Sequence, residues 1–242
     1  MNTPQLPEMT CVPLPKFALD DWPKIHRLFE PLPAWQLQQA WLAAPQRDHL
    51  AGTFKAGSWS DALVVYAELH DLDIFNPVTK FNAVAFTEGD AFEMFLRPDG
   101  QDGYFEFHVT PHNQKLQLRI PSAEWFAGPR TMSGDEFFEV TRVSKQLFDS
   151  RTWVCAEQHK WYVVAIIPFA SVVEGGSSRA TQWRFSASRY DYTRGQEKPV
   201  LSSTSPHAVC NFHRQQEWGT LHLVPGASVI TPKMGDTSQT SA

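Results

Sequence analysis

Between Ala91 and Ile120 the apolar residues recur at every second position in three short runs: Phe92, Met94 and Leu96, then Phe105, Phe107 and Val109, then Leu116, Leu118 and Ile120. A period of two puts alternate side chains on opposite faces of an extended strand, whereas a helix needs a period near 3.6. The turn residues Pro98, Gly100 and Gly103 separate the first two runs and read as a hairpin connection. Similar segments are predicted at 63–69, with a partner around 49–55, and at 137–143, 161–168, 182–190 and 219–224. About nine strands with little helix point to an all-β fold, a two-sheet antiparallel β-sandwich of jelly-roll or immunoglobulin-like type. Short peripheral helices are predicted over 33–44 and 144–149.

A chain of 242 residues with 42% apolar positions builds its core without disulfides. Residues 31–224 are expected to form the sandwich, residues 1–30 an N-terminal extension packing on it or leading into it, and 225–242 a flexible tail poor in aromatics. The long connection 192–216 is of a length that is usually functional or disordered. Cys11, Cys155 and Cys210 are far apart with no CxxC spacing, which suits reduced thiols. Residues 1–10 carry neither a basic nor an apolar leader segment, so the expected compartment is the cytoplasm, or a secreted or periplasmic location if a leader has been removed. A net charge of −5 without a Lys/Arg cluster argues against a nucleic-acid partner. No apolar run approaches the ~20 residues of a membrane helix, so no membrane partner is expected. Oligomeric state is not legible.

Alternation also sorts the polar side chains. Glu93 faces away from Phe92 and Met94, and Tyr104, Glu106 and His108 face away from Phe105 and Phe107. With Leu116, Leu118 and Ile120 turned inward, Lys115, Gln117 and Arg119 turn outward, so one sheet surface is expected to carry Glu93, Glu106, His108, Gln117 and Arg119. Such a surface is either the solvated face of an antiparallel sheet or a carbohydrate platform, where hydrogen-bonding groups converge beside an aromatic ring. Trp161 and Trp183 sit inside strands and read as core; Trp59, Trp153 and Trp218 flank strand ends or loops.

Catalytic signatures are absent: there is no GxSxG, P-loop or GxGxxG, and Cys155 with His159 lacks an orienting partner. His108 and His112 would stand ~13 Å apart along a strand, too far for one ion. The acidic turns Asp71-Leu72-Asp73 and Asp99 to Asp102 offer oxygens suited to calcium but are equally explained by turn chemistry. Glu88 with Asp90, or Glu93 with Glu106, has the chemistry of a glycosidase couple, but nothing fixes the separation such a couple needs. The chain is therefore expected to be non-catalytic.

Taken together, Ala62 to Ile74, Glu88 to Leu96, Tyr104 to Phe107, Trp183 to Asp191 and Asn211 to Gly219 resemble the family 9 carbohydrate-binding modules and the broader DOMON-related β-sandwiches. The resemblance spans roughly 33–224. It implies a non-catalytic sandwich that holds a sugar end in a slot, often with structural calcium. In sugar-binding members a Trp precedes a Glu-x-Asp-x-x-Glu strand whose last Glu contacts the ligand. That Glu is Glu93 here, while Thr87, next to Phe86, stands at the Trp position. Members also offer an Arg and an Asn from the following strand, at positions occupied here by Glu106 and His108, so the hydrogen-bond polarity toward a ligand differs. The expected saccharide contacts are Glu93, Glu106 and His108, with Arg119 or Arg184 replacing the missing donor and Trp153 and Trp218 as stacking surfaces. Two other readings stand beside this one. One is a DOMON-type haem or redox domain, against which Met94 and His108 fall on opposite faces; the other is a protein-interaction sandwich without a small ligand.

Overall fold

The computed structural model describes residues 5–122, 124–125, 133–173 and 181–224. Among the described residues twelve strands form two sheets. The strands are β1 (Glu8–Cys11), β2 (Trp35–Gln36), β3 (Gly52–Ser58), β4 (Ala62–His70), β5 (Ala91–Pro98), β6 (Tyr104–Val109), β7 (Lys115–Ile120), β8 (Asp149–Cys155), β9 (Lys160–Pro168), β10 (Gln182–Asp191), β11 (Val200–Ser203) and β12 (Gly219–Leu223). A seven-stranded sheet runs β1-β12-β10-β5-β6-β7, with β11 also on β10, and a five-stranded sheet runs β2-β3-β4-β9-β8. All pairings are antiparallel except β1 with β12. The sandwich expected from the alternation is the fold observed. The tail expected at 225–242 lies outside the described residues.

Between the sheets, Phe92, Met94, Leu96, Phe105, Phe107 and Val109 pack against Phe54, Leu63, Val65, Leu69, Trp161 and Val163. Both sheets are also covered on their outer faces, which is why β4 and β5 are buried along almost their whole length. Over the five-stranded sheet lies helix α1 (Trp22–Phe29), whose Ile25 and Phe29 pack on Val64, Tyr66 and Val164. Over the seven-stranded sheet, Phe95, Tyr104, Leu116, Leu118 and Ile120 form a second apolar cluster with Phe212 and Trp218.

Three local expectations are corrected. Residues 33–44 contain β2 and turns rather than a helix, and 144–149 lead irregularly into β8. Residues 137–143 form no strand: helix α2 (Gly134–Thr141) starts at Ser133, whose side chain accepts from the Glu136 amide while Glu136 reaches back to the Ser133 amide. That reciprocal cap satisfies two amides that a helix start leaves open, and it outweighs the β-leaning residues that follow. A third helix, α3 (Phe169–Val172), is one turn long. Among the described residues no helix is long and apolar enough to cross a membrane.

Candidate functional site

On the outer face of the seven-stranded sheet, β5 sets Glu93 directly opposite His108 of β6, and β6 sets Glu106 two residues before it on the same face. Parity therefore brings these three together as expected. Their exposure is the correction: Glu93 is 2%, Glu106 4% and His108 0% exposed. Alternation predicts a face open to water, but Phe86 stacks on the His108 ring at 5.2 Å, and Phe138 and Tyr190 close around Phe86. Gly89 permits this loop to lie close, since a Cβ there would come within 2.7 Å of the Phe75 carbonyl.

The polar geometry is specific. His108 Nε2 lies 2.7 Å from Glu106 Oε1, and His108 Nδ1 lies 3.3 Å from Glu93 Oε1. Burial alone would raise the Glu106 carboxyl, but the hydrogen bond from His108 and the proximity of His108 and His213 hold it below the ordinary range. Glu106 is thus the ionised acceptor and His108 Nε2–H the donor of the 2.7 Å contact. Glu93 is pushed well above the ordinary range by burial and by the Glu106 charge. Glu93 Oε2, Glu106 Oε2 and His108 Nδ1 have no hydrogen-bond partner. Beside this triad, Tyr104 Oη lies 2.7 Å from His213 Nδ1, and Ser188 of β10 stands opposite Glu93 and donates to Ser203 Oγ.

The remaining expected contacts lie elsewhere. In the β6–β7 register Leu116 is opposite His108 and Leu118 opposite Glu106, so the leucines, not Gln117 and Arg119, share the triad's face. Gln117 instead lies on the inter-sheet side, holding Val143, Lys145 and Leu147. Arg119 lines a 440 Å³ cavity with Phe105, Leu147 and Val172 on that same side. Arg184 does share the outer face, but it pairs with Arg97, four residues or ~13 Å along β5 from Glu93, and donates to Thr220. Trp218 is fully buried, its ring packed on Phe95 and Tyr104 and its Nε1–H given to the Phe212 carbonyl, so it offers no stacking surface. Trp153 is 38% exposed but sits in β8 of the other sheet, stacked on Tyr162. Phe86 and Tyr190, missed as site residues, are the half-buried rings above the triad. Met94 belongs to the inter-sheet core and His108 to the outer face, so the two cannot clasp one haem iron.

A second buried cluster brings Asp71 of the first acidic turn together with Asp90 and Asp191. Calcium, implied by the resemblance, does not fit it. Arg189 Nη2 already bridges Asp71 Oδ2 at 2.9 Å and Asp191 Oδ1 at 3.1 Å. Asp90 spends one oxygen on the Phe75 amide and the other on the Tyr192 amide. A guanidinium and backbone amides thus fill the coordination that a hard cation would need. Asp71 Oδ1 also accepts from the Asp73 amide, the local turn bond that acidic turns favour.

Solved structures share this architecture. The fold is that of the family 9 carbohydrate-binding modules. Two such modules from Caldicellulosiruptor kristjanssonii, one in complex with cellotriose and one with glucose, superpose with TM-scores of 0.60 and 0.59 at 14% and 15% identity, covering 95% and 93% of this chain and 100% of each module. A Bacteroides uniformis protein with a provisional description of carbohydrate binding superposes with a TM-score of 0.66 at 13% identity, covering 91% of this chain and 100% of its own. No family model and no curated protein matches the sequence.

Proposed function

We propose that this family 9-like sandwich is a non-catalytic saccharide-binding module whose ligand docks on the outer face of the seven-stranded sheet. The observation that carries the reading is the set of three partnerless buried atoms, Glu93 Oε2, Glu106 Oε2 and His108 Nδ1, beneath the half-buried rings of Phe86 and Tyr190. Sugar hydroxyls donate hydrogen bonds to acceptors of this kind, and a pyranose C–H face packs on an aromatic ring. The modules of the same fold that hold cellotriose and glucose support the ligand class. Because Phe86 covers His108, a sugar first meets the rings and reaches the triad only as Phe86 shifts. Arg119 and Trp153, distant from this face, have no part in it, and Trp218 is buried beside it against Phe95 and Tyr104.

Calorimetric titration with glucose, cellobiose and cellotriose tests the proposal. Binding should weaken at least tenfold in Glu93→Gln, which keeps the shape and replaces one carboxyl oxygen by an amide donor. Absence of heat at millimolar sugar in the wild type overturns it.

A further inference from the structure

We propose that Arg97 and Arg184 form a binding site for one doubly charged tetrahedral oxyanion: inorganic phosphate or sulfate, or the phosphate of a monoester. The β5–β10 register sets the two residues directly opposite each other, so both side chains leave the same outer face of the seven-stranded sheet. Directly opposed side chains have Cβ atoms ~4.5–5.5 Å apart, and like charges so placed repel. Both arginines are half-buried, so water screens that repulsion only in part. Arg189, Arg194 and Arg214 each hold a carboxylate. Among the described residues Arg97 and Arg184 hold none and donate instead to neutral oxygens. Two guanidiniums side by side without a counter-ion call for two negative charges, which is the charge of the ligand named.

Each guanidinium is fixed by a buried neutral partner. Arg97 Nη1 donates to Gln215 Oε1 at 2.9 Å, and Arg184 Nη1 donates to Thr220 Oγ1 at 3.2 Å. Gln215 and Thr220 are 6% and 4% exposed, so the two heads are held in place before a ligand arrives. Each bond uses one of the five N–H donors of its guanidinium. The donors left over form two forks on adjacent strands, a geometry that suits the several oxygens of one tetrahedral anion. Burial and the Arg184 charge draw the Arg97 guanidinium below its ordinary range, with Asp99 and Asp102 opposing the shift; a guanidinium stays protonated at neutral pH all the same. Asp99 and Asp102 are exposed on the β5–β6 connection, and Glu8, opposite Thr220 on β1, turns to His222 at 3.4 Å. The pair stands ~13 Å along β5 from Glu93, so the inference does not rest on sugar binding.

The experiment titrates the full chain by calorimetry with potassium phosphate, potassium sulfate and glucose 6-phosphate, at about pH 8, where a phosphate monoester carries nearly two charges. Wild type should bind one equivalent with a Kd on the order of millimolar or below, and the Arg97 and Arg184 Nε–H NMR signals should move as it saturates. Arg97→Gln and Arg184→Gln should each weaken binding at least tenfold. Arg97→Lys keeps the charge and loses the planar fork, so its affinity should fall between wild type and Arg97→Gln. Arg151→Gln, on β8 of the other sheet, should bind as wild type does. Glu93→Gln should also leave phosphate binding unchanged, which keeps this result apart from the saccharide reading. Tighter binding of glucose 6-phosphate than of inorganic phosphate identifies an ester as the ligand, and equal affinity identifies a free oxyanion. The proposal is overturned if wild type shows no saturable binding at tens of millimolar of any of the three anions, or if both glutamine variants, shown to be folded by circular dichroism, bind as wild type does.

Discussion

The Phe86 ring lies on the His108 imidazole, centroids 5.2 Å apart and planes inclined by 28°. The contact closes the outer face over a histidine held between two glutamates. Phe86→Ala should expose that histidine. Since Phe86 is only partly buried, the cost should fall below the 3–5 kcal/mol of a core Phe→Ala, at ~1–3 kcal/mol. Urea unfolding measures the loss, and the His108 ring-proton NMR signals should shift as the stacked ring is removed. If Phe86 is the stacking ring, saccharide affinity drops at least tenfold in the same variant.

Among the described residues Arg189 is the cation bonded within the Asp71, Asp90 and Asp191 cluster, and it also donates to the His70 carbonyl. Breaking a buried ion pair by removing one partner typically costs 3–5 kcal/mol, because the surviving charges stay desolvated. Arg189→Met should lose about that much, read from the shift in the denaturant midpoint. An unchanged midpoint would show that the aspartates do not depend on the guanidinium.

The same cluster sets a pH dependence. Burial pushes the Asp191 carboxyl up to about 7, against the pull of Arg189, with Asp71 and Asp48 adding to the rise. In the unfolded chain it titrates near ~3.9. Between these values the folded protein holds a proton that the unfolded chain has released, so stability is fully present below about pH 4 and is lost as pH rises through about 7. Histidines lowered by burial, such as His49 and His207, act in the opposite sense at acid pH, so the comparison must be made against a variant. Relative to Asp191→Asn, wild type should lose up to ~1.4 kcal/mol per pH unit between about pH 5 and 7. Parallel urea titrations at pH 5, 6, 7 and 8 check this; parallel curves would remove Asp191 as the source.

Alternation in β5 and β6 was enough to place Glu93, Glu106 and His108 side by side, because period two is a local property of each strand. What it could not show was which face water reaches. Phe95 and Tyr104 share the triad's face, and two bulky rings on a nominally polar surface are the signal that it carries its own cover. The same blind spot misplaced Arg119: Leu116, Leu118 and Ile120 were assigned to the single expected core, when they serve the outer cluster. Helix α2 is where the strand expected at 137–143 fails: Ser133 and Glu136 stand at capping-box spacing ahead of Phe137, but the branched residues that follow look like a strand. Phe86 had no local signature, because its role comes from a loop folding across β6.

Trp153 supplies the discriminating comparison with Phe86. Its ring is exposed, stacked on Tyr162 at 5.2 Å and 6.0 Å from Trp22, which makes the outer face of the five-stranded sheet the other aromatic surface available to a sugar. Among the described residues that surface shows no such triad of carboxylates and imidazole; its nearby His26 holds Nδ1 on the Tyr66 hydroxyl and has Nε2 without a partner. Trp153→Ala removes an edge-strand ring whose aromatic pairing is worth ~0.5–1.5 kcal/mol beyond its burial, so a modest fall in melting temperature is expected. Saccharide affinity should stay within twofold of wild type, while Phe86→Ala loses it. The reverse pattern, with affinity lost in Trp153→Ala and kept in Phe86→Ala, would move the binding surface to the opposite sheet.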